Sequence, residues 1–149
     1  MKIFLAADHA GFELKEAVEE WLANCSGLEV YDCGAHIYAP EDDYPDYIAV
    51  AAKEVSKNPN RSVGIIFGGS GTGEAILANR FRRVRAALYY GGNMEIVRLS
   101  REHNDTNVLS IGARFVSEKE AKKAIELWLK TAPSEKDKYH RRIVKAASF

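Results

Sequence analysis

The sequence predicts an α/β fold: a Rossmann-like three-layer domain in which a five-stranded parallel sheet is flanked by helices. Three observations carry this prediction. Apolar runs and helical patterns alternate along the chain, the signature of successive βαβ units joined by right-handed crossovers. One run, residues 62–67 (SVGIIF), is apolar without alternation, as a strand covered on both faces requires. The 149 residues contain no repeat, linker or low-complexity stretch, which fits one domain over residues 1–149 that buries roughly two-thirds of its unfolded surface.

Each element follows from its local pattern. Residues 2–7 (KIFLAA) read as the first strand and Phe12 to Leu22 as an amphipathic helix. Residues 28–33 (LEVYDC) are the second strand, followed by a polar loop through Glu41, Asp42 and Asp43. Pro45 suits the first turn of a helix running to about Val55, and Asn58-Pro59-Asn60 is a turn. The third strand gives way to a glycine-rich loop and a helix from about Gly73 to Phe81. Residues 84–89 form a fourth strand, Asn93 to Arg101 a helix, and residues 108–112 a fifth strand. Ser117-Glu118-Lys119-Glu120 is a capping box opening a helix to Lys130, and Pro133-Ser134 begin a last helix toward Ala147.

Composition narrows the function. Lys plus Arg and Asp plus Glu are both 21, so the formal net charge is zero. A nucleic-acid-binding module or a polybasic membrane binder would carry a basic excess. The apolar run after Met1 is too short for a signal peptide, and no run approaches a membrane span. Cys25 and Cys33 form no C-x-x-C pair; two isolated thiols fit a reducing cytoplasm. The four histidines show no metal-ligand spacing, so no metal site is expected.

Ligands of open parallel sheets bind at the carboxyl ends of the strands, so the loops there matter most. Gly68-Gly69-Ser70-Gly71-Thr72-Gly73-Glu74 follows the third strand directly. Its glycines let several N–H groups converge on one point, and the next helix adds its positive end, making an anion cradle. Glu74 stands where a nucleotide P-loop has Lys and where the dinucleotide fingerprint has its last glycine, which argues against both. A carboxylate beside an amide nest fits a general base next to an oxyanion hole, as proton abstraction beside a carbonyl requires. The structural alternative is an ordinary acid in a first helical turn.

Other loops offer further candidates. Asp8, His9 and Gly11 follow the first strand; a plain turn with an Asx cap is the alternative there. Residues 101–107 (REHNDTN) are a polar cluster in which His103 best suits acid–base work, whereas capping by Asn104 and a turn at Asp105 is the structural account. Arg114 follows the fifth strand. Near the C-terminus, Lys138 and Arg142 are four residues apart, so they share a helix face and offer a phosphate clamp.

These motifs occur together and in order: Asp8-His9-Ala10-Gly11, Asp43-Tyr44-Pro45, Gly69-Ser70-Gly71-Thr72-Gly73, Ala78-Asn79-Arg80, Arg85-Ala86-Ala87, Arg101-Glu102-His103-Asn104-Asp105, Gly112-Ala113-Arg114 and Arg141-Arg142. The chain resembles the type B ribose-5-phosphate isomerase family, which includes galactose- and allose-6-phosphate isomerases. The resemblance implies aldose–ketose isomerisation of a sugar phosphate, most directly ribose 5-phosphate, without metal or organic cofactor. It implies a cytoplasmic homodimer or tetramer with each site at a subunit interface and the C-terminal helix on a partner subunit. Carried over by position, Asp8, His103 and Asn104 bind the sugar and open its ring, and the amides of Gly69, Gly71, Thr72 and Gly73 with the Ser70 hydroxyl hold the enediolate. His9, Arg114, Lys138 and Arg142 bind phosphate, and Tyr44 joins the substrate-binding set.

Two departures sharpen the expectation. Many members have a catalytic Cys immediately before the glycine loop, where this chain has Gly68; it resembles the branch that uses the loop's Glu, so Glu74 inherits the role of base. Lys138 stands where Arg is usual, and attracts phosphate as a point charge without a bidentate fork. A different sugar phosphate, from tetrose to hexose, and a non-catalytic sugar-phosphate binder are the alternatives. A base at the oxyanion nest favours catalysis, since binding alone does not need one.

Overall fold

The computed structural model describes residues 1–149. Strands and helices alternate as β1 (Lys2–Ala7), α1 (Phe12–Ala23), β2 (Glu29–Asp32), α2 (Tyr44–Lys57), β3 (Ser62–Gly68), α3 (Thr72–Ala78), β4 (Ala86–Tyr89), α4 (Glu95–Asn104), β5 (Val108–Gly112), α5 (Glu118–Lys130) and α6 (Asp137–Ala146). All five strands pair in parallel in one sheet of order β2-β1-β3-β5-β4. The α/β prediction holds, and the order adds what periodicity cannot give: β4 lies at the edge, outside β5.

Successive strand residues point to opposite faces and sort the core into two layers. Ile3, Leu5, Ala7, Val63, Ile65, Phe67, Leu109 and Ile111 pack with Val18 and Leu22 of α1, Val97 of α4 and Ile125 and Trp128 of α5. Phe4, Ala6, Ile66 and Val108 face Ile48, Ala52 and Val55 of α2 and Ala78 of α3. Crossovers toward β2 or back from β4 carry α1 and α4 on one face, whereas those in the opposite direction carry α2 and α3 on the other. The four crossovers therefore share one hand, as twisted strands demand. Every residue of β3, the central strand, is buried.

Several boundaries differ from the sequence expectation, each for a local reason. The β4 ladder begins at Ala86 because the Arg85 N–H is taken by the Asn107 side chain at 2.8 Å. Helix α3 stops at Ala78, and Asn79 then pairs its side-chain amide with both backbone groups of Ala86. Helix α4 runs on to Asn104, and Asp105, not Asn104, is the left-handed C-cap at φ 44°. Helix α6 starts only at Asp137, because the Ser134 N–H donates to the Glu102 carbonyl and lays the preceding segment along α4. The capping box is half made. The Ser117 hydroxyl accepts from the Glu120 N–H at 3.2 Å, but the Glu120 carboxylate accepts the buried Tyr89 hydroxyl instead.

Candidate active site

The chain starts at β1, winds outward to β2 and returns to β3, so the winding reverses between β1 and β3. A crevice opens at such a reversal, at the carboxyl ends of the two strands. Asp8 and His9 extend from β1 there, and the glycine loop extends from β3.

The loop is held by β5. The Ala113 and Arg114 N–H groups donate to the Gly68 and Gly69 carbonyls at 2.8 and 3.1 Å, and the Ser110 hydroxyl donates to the Gly71 carbonyl at 2.6 Å. The loop's carbonyls are thus turned toward the sheet. The N–H groups of Gly69, Ser70 and Gly71 have no acceptor within the chain, and the Thr72 N–H donates to the Ser70 hydroxyl at 3.2 Å. Gly71 sits at φ 75°, where a side chain is strained, and directs the backbone into α3.

Glu74 lies in the first turn of α3 with 5 % of its surface exposed. Its carboxylate occupies the space a side chain at position 68 would need. A Cβ built on Gly68 would lie 1.9 Å from Glu74 Oε1. Gly68 is therefore what allows a carboxylate from α3 to reach the end of β3. Burial pushes the Glu74 carboxyl above the usual carboxylate range, and the nearby Asp8 charge adds to the shift against its own N–H.

Around this pair the structure gathers four other sequence-predicted residues. Asp8 is 7 % exposed and accepts the Ala10 N–H at 3.0 Å, so the expected Asx turn exists alongside its place in the crevice. His9 has Nδ1 2.7 Å from Asp42 Oδ1 and 4.0 Å from Asp8 Oδ2. The hydrogen bond to Asp42 holds the His9 imidazole above its ordinary range, burial and the Arg114 guanidinium pull the other way, and Asp8 and the Asp42 charge reinforce the rise. The Arg114 side chain runs beside Gly69, and the Tyr44 ring lies over Gly73, about 3 Å from where a Cβ would stand.

His103, Asn104, Lys138 and Arg142 are not at this edge. Helix α4 runs antiparallel to the strands, so its C-terminus lies beside the start of β5, about 16 Å from the carboxyl edge at the usual rise of a five-residue strand. There the His103 ring stacks on Tyr139 of α6 with centroids 4.1 Å apart, and the Lys138 ammonium sits 4.8 Å from the same tyrosine ring. His103, Asn104 and Arg142 line a cavity of about 750 Å³ between α4, α6 and the start of β4. The rest of the 101–107 cluster is structural. Arg101 and Arg85 hold the Asp105 carboxylate, Thr106 accepts the buried Trp128 indole N–H, and Asn107 binds Arg83 and Arg85. One chain thus carries two separate groups of candidate residues.

Nothing in its local sequence singles out Asp42, although the loop after β2 opens on the same edge as the other candidate loops. The same is true of Lys15: its side chain is wholly buried and its ammonium lies 2.7 Å from both Glu16 and Asp32. Asp32 in turn accepts the Gly34 N–H and so shapes the loop beside β1. Two acidic groups bring ligand atoms within 4.8 Å of one another. In Glu16, Glu19 and Asp32 the Lys15 ammonium already supplies the cation, and in Asp8, His9 and Asp42 the close contact is the His9–Asp42 hydrogen bond. Both cysteines are free; burial pushes the Cys33 thiol up to about 11, leaving it a poor nucleophile at neutral pH.

Residues 3–146 match the family described as Ribose/Galactose Isomerase. A ribose-5-phosphate isomerase B of Mycobacterium leprae is 40 % identical over 149 residues, covering 100 % of this chain and 90 % of the relative. The crystal structure of ribose-5-phosphate isomerase B from Mycoplasma genitalium with bound ribulose-5-phosphate superposes with a TM-score of 0.92 at 35 % identity, covering 99 % of this chain and 94 % of that one. A ribose 5-phosphate isomerase from Thermotoga maritima gives 0.88 at 36 % identity, covering 99 % and 98 %. On sequence and fold together, the chain belongs to the ribose/galactose isomerase family.

Proposed function

We propose that this protein interconverts ribose 5-phosphate and ribulose 5-phosphate with Glu74 as the base. The observation that carries the reading is the Glu74 carboxylate, buried at the end of β3 beside loop amides that no group of the chain engages. Its raised pKa makes it a stronger base once ionised, as removal of a carbon-bound proton needs. The relatives named ribose-5-phosphate isomerase B and the structure holding ribulose-5-phosphate support this substrate over a six-carbon one.

In this mechanism the ring form opens first, with His103 moving the proton and Asp8 binding the sugar. Glu74 takes the C2 proton, and the electron pair becomes a cis-enediolate. The amides of Gly69, Ser70, Gly71 and Gly73 stabilise its charge, together with the Ser70 hydroxyl, on which the Thr72 N–H is held. One hydroxyl proton passes from O2 to O1, and Glu74 returns its proton to C1. The net change is one hydrogen from C2 to C1 and one from O2 to O1. His9 and Arg114 hold the phosphate from one side of the crevice.

Since His103, Asn104, Lys138 and Arg142 lie at the other end of the sheet from Glu74, a second copy must supply them, so the active form is a homodimer or a larger assembly. Helix α6 suits an inter-subunit place, because none of its residues is buried and it packs chiefly on α4.

Exchange at C2 tests the reading. In deuterated solvent, NMR should show loss of the C2 proton fastest with ribose 5-phosphate among a panel of sugar phosphates, and no loss with Glu74→Gln. Binding without exchange for every sugar would make this a binding protein, and faster exchange with a hexose phosphate would change the substrate.

A further inference from the structure

We propose that Asp42 is a positioning residue for substrate phosphate: it fixes the orientation of His9, holds a proton on its Nδ1 and favours the doubly protonated ring, so that His9 Nε2 presents a proton to the phosphate. This rests on the phosphate role proposed above for His9.

The geometry is a two-point clamp. Asp42 Oδ1 accepts the His9 backbone N–H at 2.9 Å and stands 2.7 Å from His9 Nδ1, across 33 residues of sequence. A carboxylate only accepts, so Nδ1 carries the proton of that bond. In the neutral ring Nε2 is then a bare lone pair that would face the phosphate oxygens unfavourably. Only the doubly protonated ring donates from Nε2, and that form also brings the positive charge a phosphate dianion favours. The clamp therefore links phosphate binding to the charged ring rather than to the opposite neutral tautomer.

The surroundings favour that charge. The Asp42 side chain is 8 % exposed, and its Oδ2 is buried without a hydrogen-bond partner. A buried carboxylate with so few close partners interacts strongly with its cationic neighbour. Facing His9 are the carboxylates of Asp42 and Asp8 and the guanidinium of Arg114; the Tyr47 phenol stands against Asp42 as a neutral hydrogen-bonding neighbour and feels the charges of Asp42, Asp46 and Asp8. Two anions thus oppose one cation at the ring. The direction of the His9 shift agrees, with the Asp42 bond its largest cause. The same bonds tie the loop after β2 to the loop after β1, so the ring cannot turn away while Asp42 stays in place.

Side-chain NMR on labelled protein, with KM for ribose 5-phosphate measured across pH, tests the proposal. In the unaltered protein, Nδ1 of His9 should keep its proton throughout the titration and Nε2 should be the nitrogen that loses one. Asp42→Asn, which keeps the shape and removes the charge, should move the His9 titration to lower pH. Its KM should match the parent near pH 6 and rise about tenfold by pH 8, with kcat changed far less, because the ring loses its charge earlier. In a His9→Asn background, adding Asp42→Asn should change KM no further. Loss of the Nδ1 proton first in the unaltered protein would overturn the proposal without any variant. It would also be overturned if Asp42→Asn moved neither the titration nor KM while His9→Asn raised KM, leaving the phosphate role of His9 standing. Unchanged KM in His9→Asn would instead remove that role and the proposal with it.

Discussion

Glu74, the proposed base, shows at the scale of one residue how a buried carboxyl opposes stability. Its carboxyl titrates above its ordinary range, chiefly through burial. Such a group is protonated in both folded and unfolded states at low pH and then costs nothing. As pH rises through the unfolded and then the folded pKa, the unfolded chain ionises more readily, and stability is lost. Glu74→Gln should therefore raise Tm by a few degrees near pH 7.5 and leave it unchanged near pH 4, while isomerisation is abolished; calorimetry at the two pH values checks this. A lower Tm at pH 7.5 would show that the ionised carboxylate is well solvated or paired. The residue's candidacy was legible in sequence, from a carboxylate one position past the last glycine of an amide nest. Its burial was not, because helix first turns are commonly exposed and only packing against β3 removes this one from water.

At the scale of the element, the glycine loop works because of what it leaves out. The space beside Gly68 is filled by the Glu74 carboxylate, with Oε1 1.9 Å from any Cβ placed there. The two positions are therefore coupled: a side chain at the end of β3 and a carboxylate from α3 cannot share this space. Gly68→Ala should push the carboxylate away and lower kcat about 100-fold, with a much smaller effect on KM, because a displacement of about 1 Å is enough at a reacting atom. Steady-state kinetics with ribose 5-phosphate checks this, and near-normal kcat would mean that the base reaches its proton from elsewhere. The loop itself was readable from four glycines after an apolar strand. The coupling was not, because it depends on the angle at which α3 leaves β3. The same limit hid Asp42, whose loop carries no glycine signature and gains meaning only beside His9.

At the scale of the whole molecule, the two groups of candidate residues lie at opposite ends of the sheet, and this makes an assembly prediction. Glu74→Gln and His103→Ala should each be inactive alone. Mixed, unfolded together and refolded, they should recover about a quarter of the parent activity, because half the dimers are then mixed and each of those has one intact site of two. Activity assayed before and after mixing checks this, and no recovery would place the whole site within one chain. What the sequence by itself determined were the strands and helices, the two-sided burial of β3, and most of the candidate residues. Those features follow from side-chain period, turn residues and short motifs, which act within a few positions of the chain. Only the tertiary structure decided that β1 and β3 lie side by side, that α4 carries His103 to the far edge, that Gly68 makes room for Glu74, and that Asp42 reaches back across 33 residues to His9. Each of these depends on strand order or on the angle between elements, and both are set by burying two opposite faces of one sheet at once, a condition that no local stretch of sequence contains.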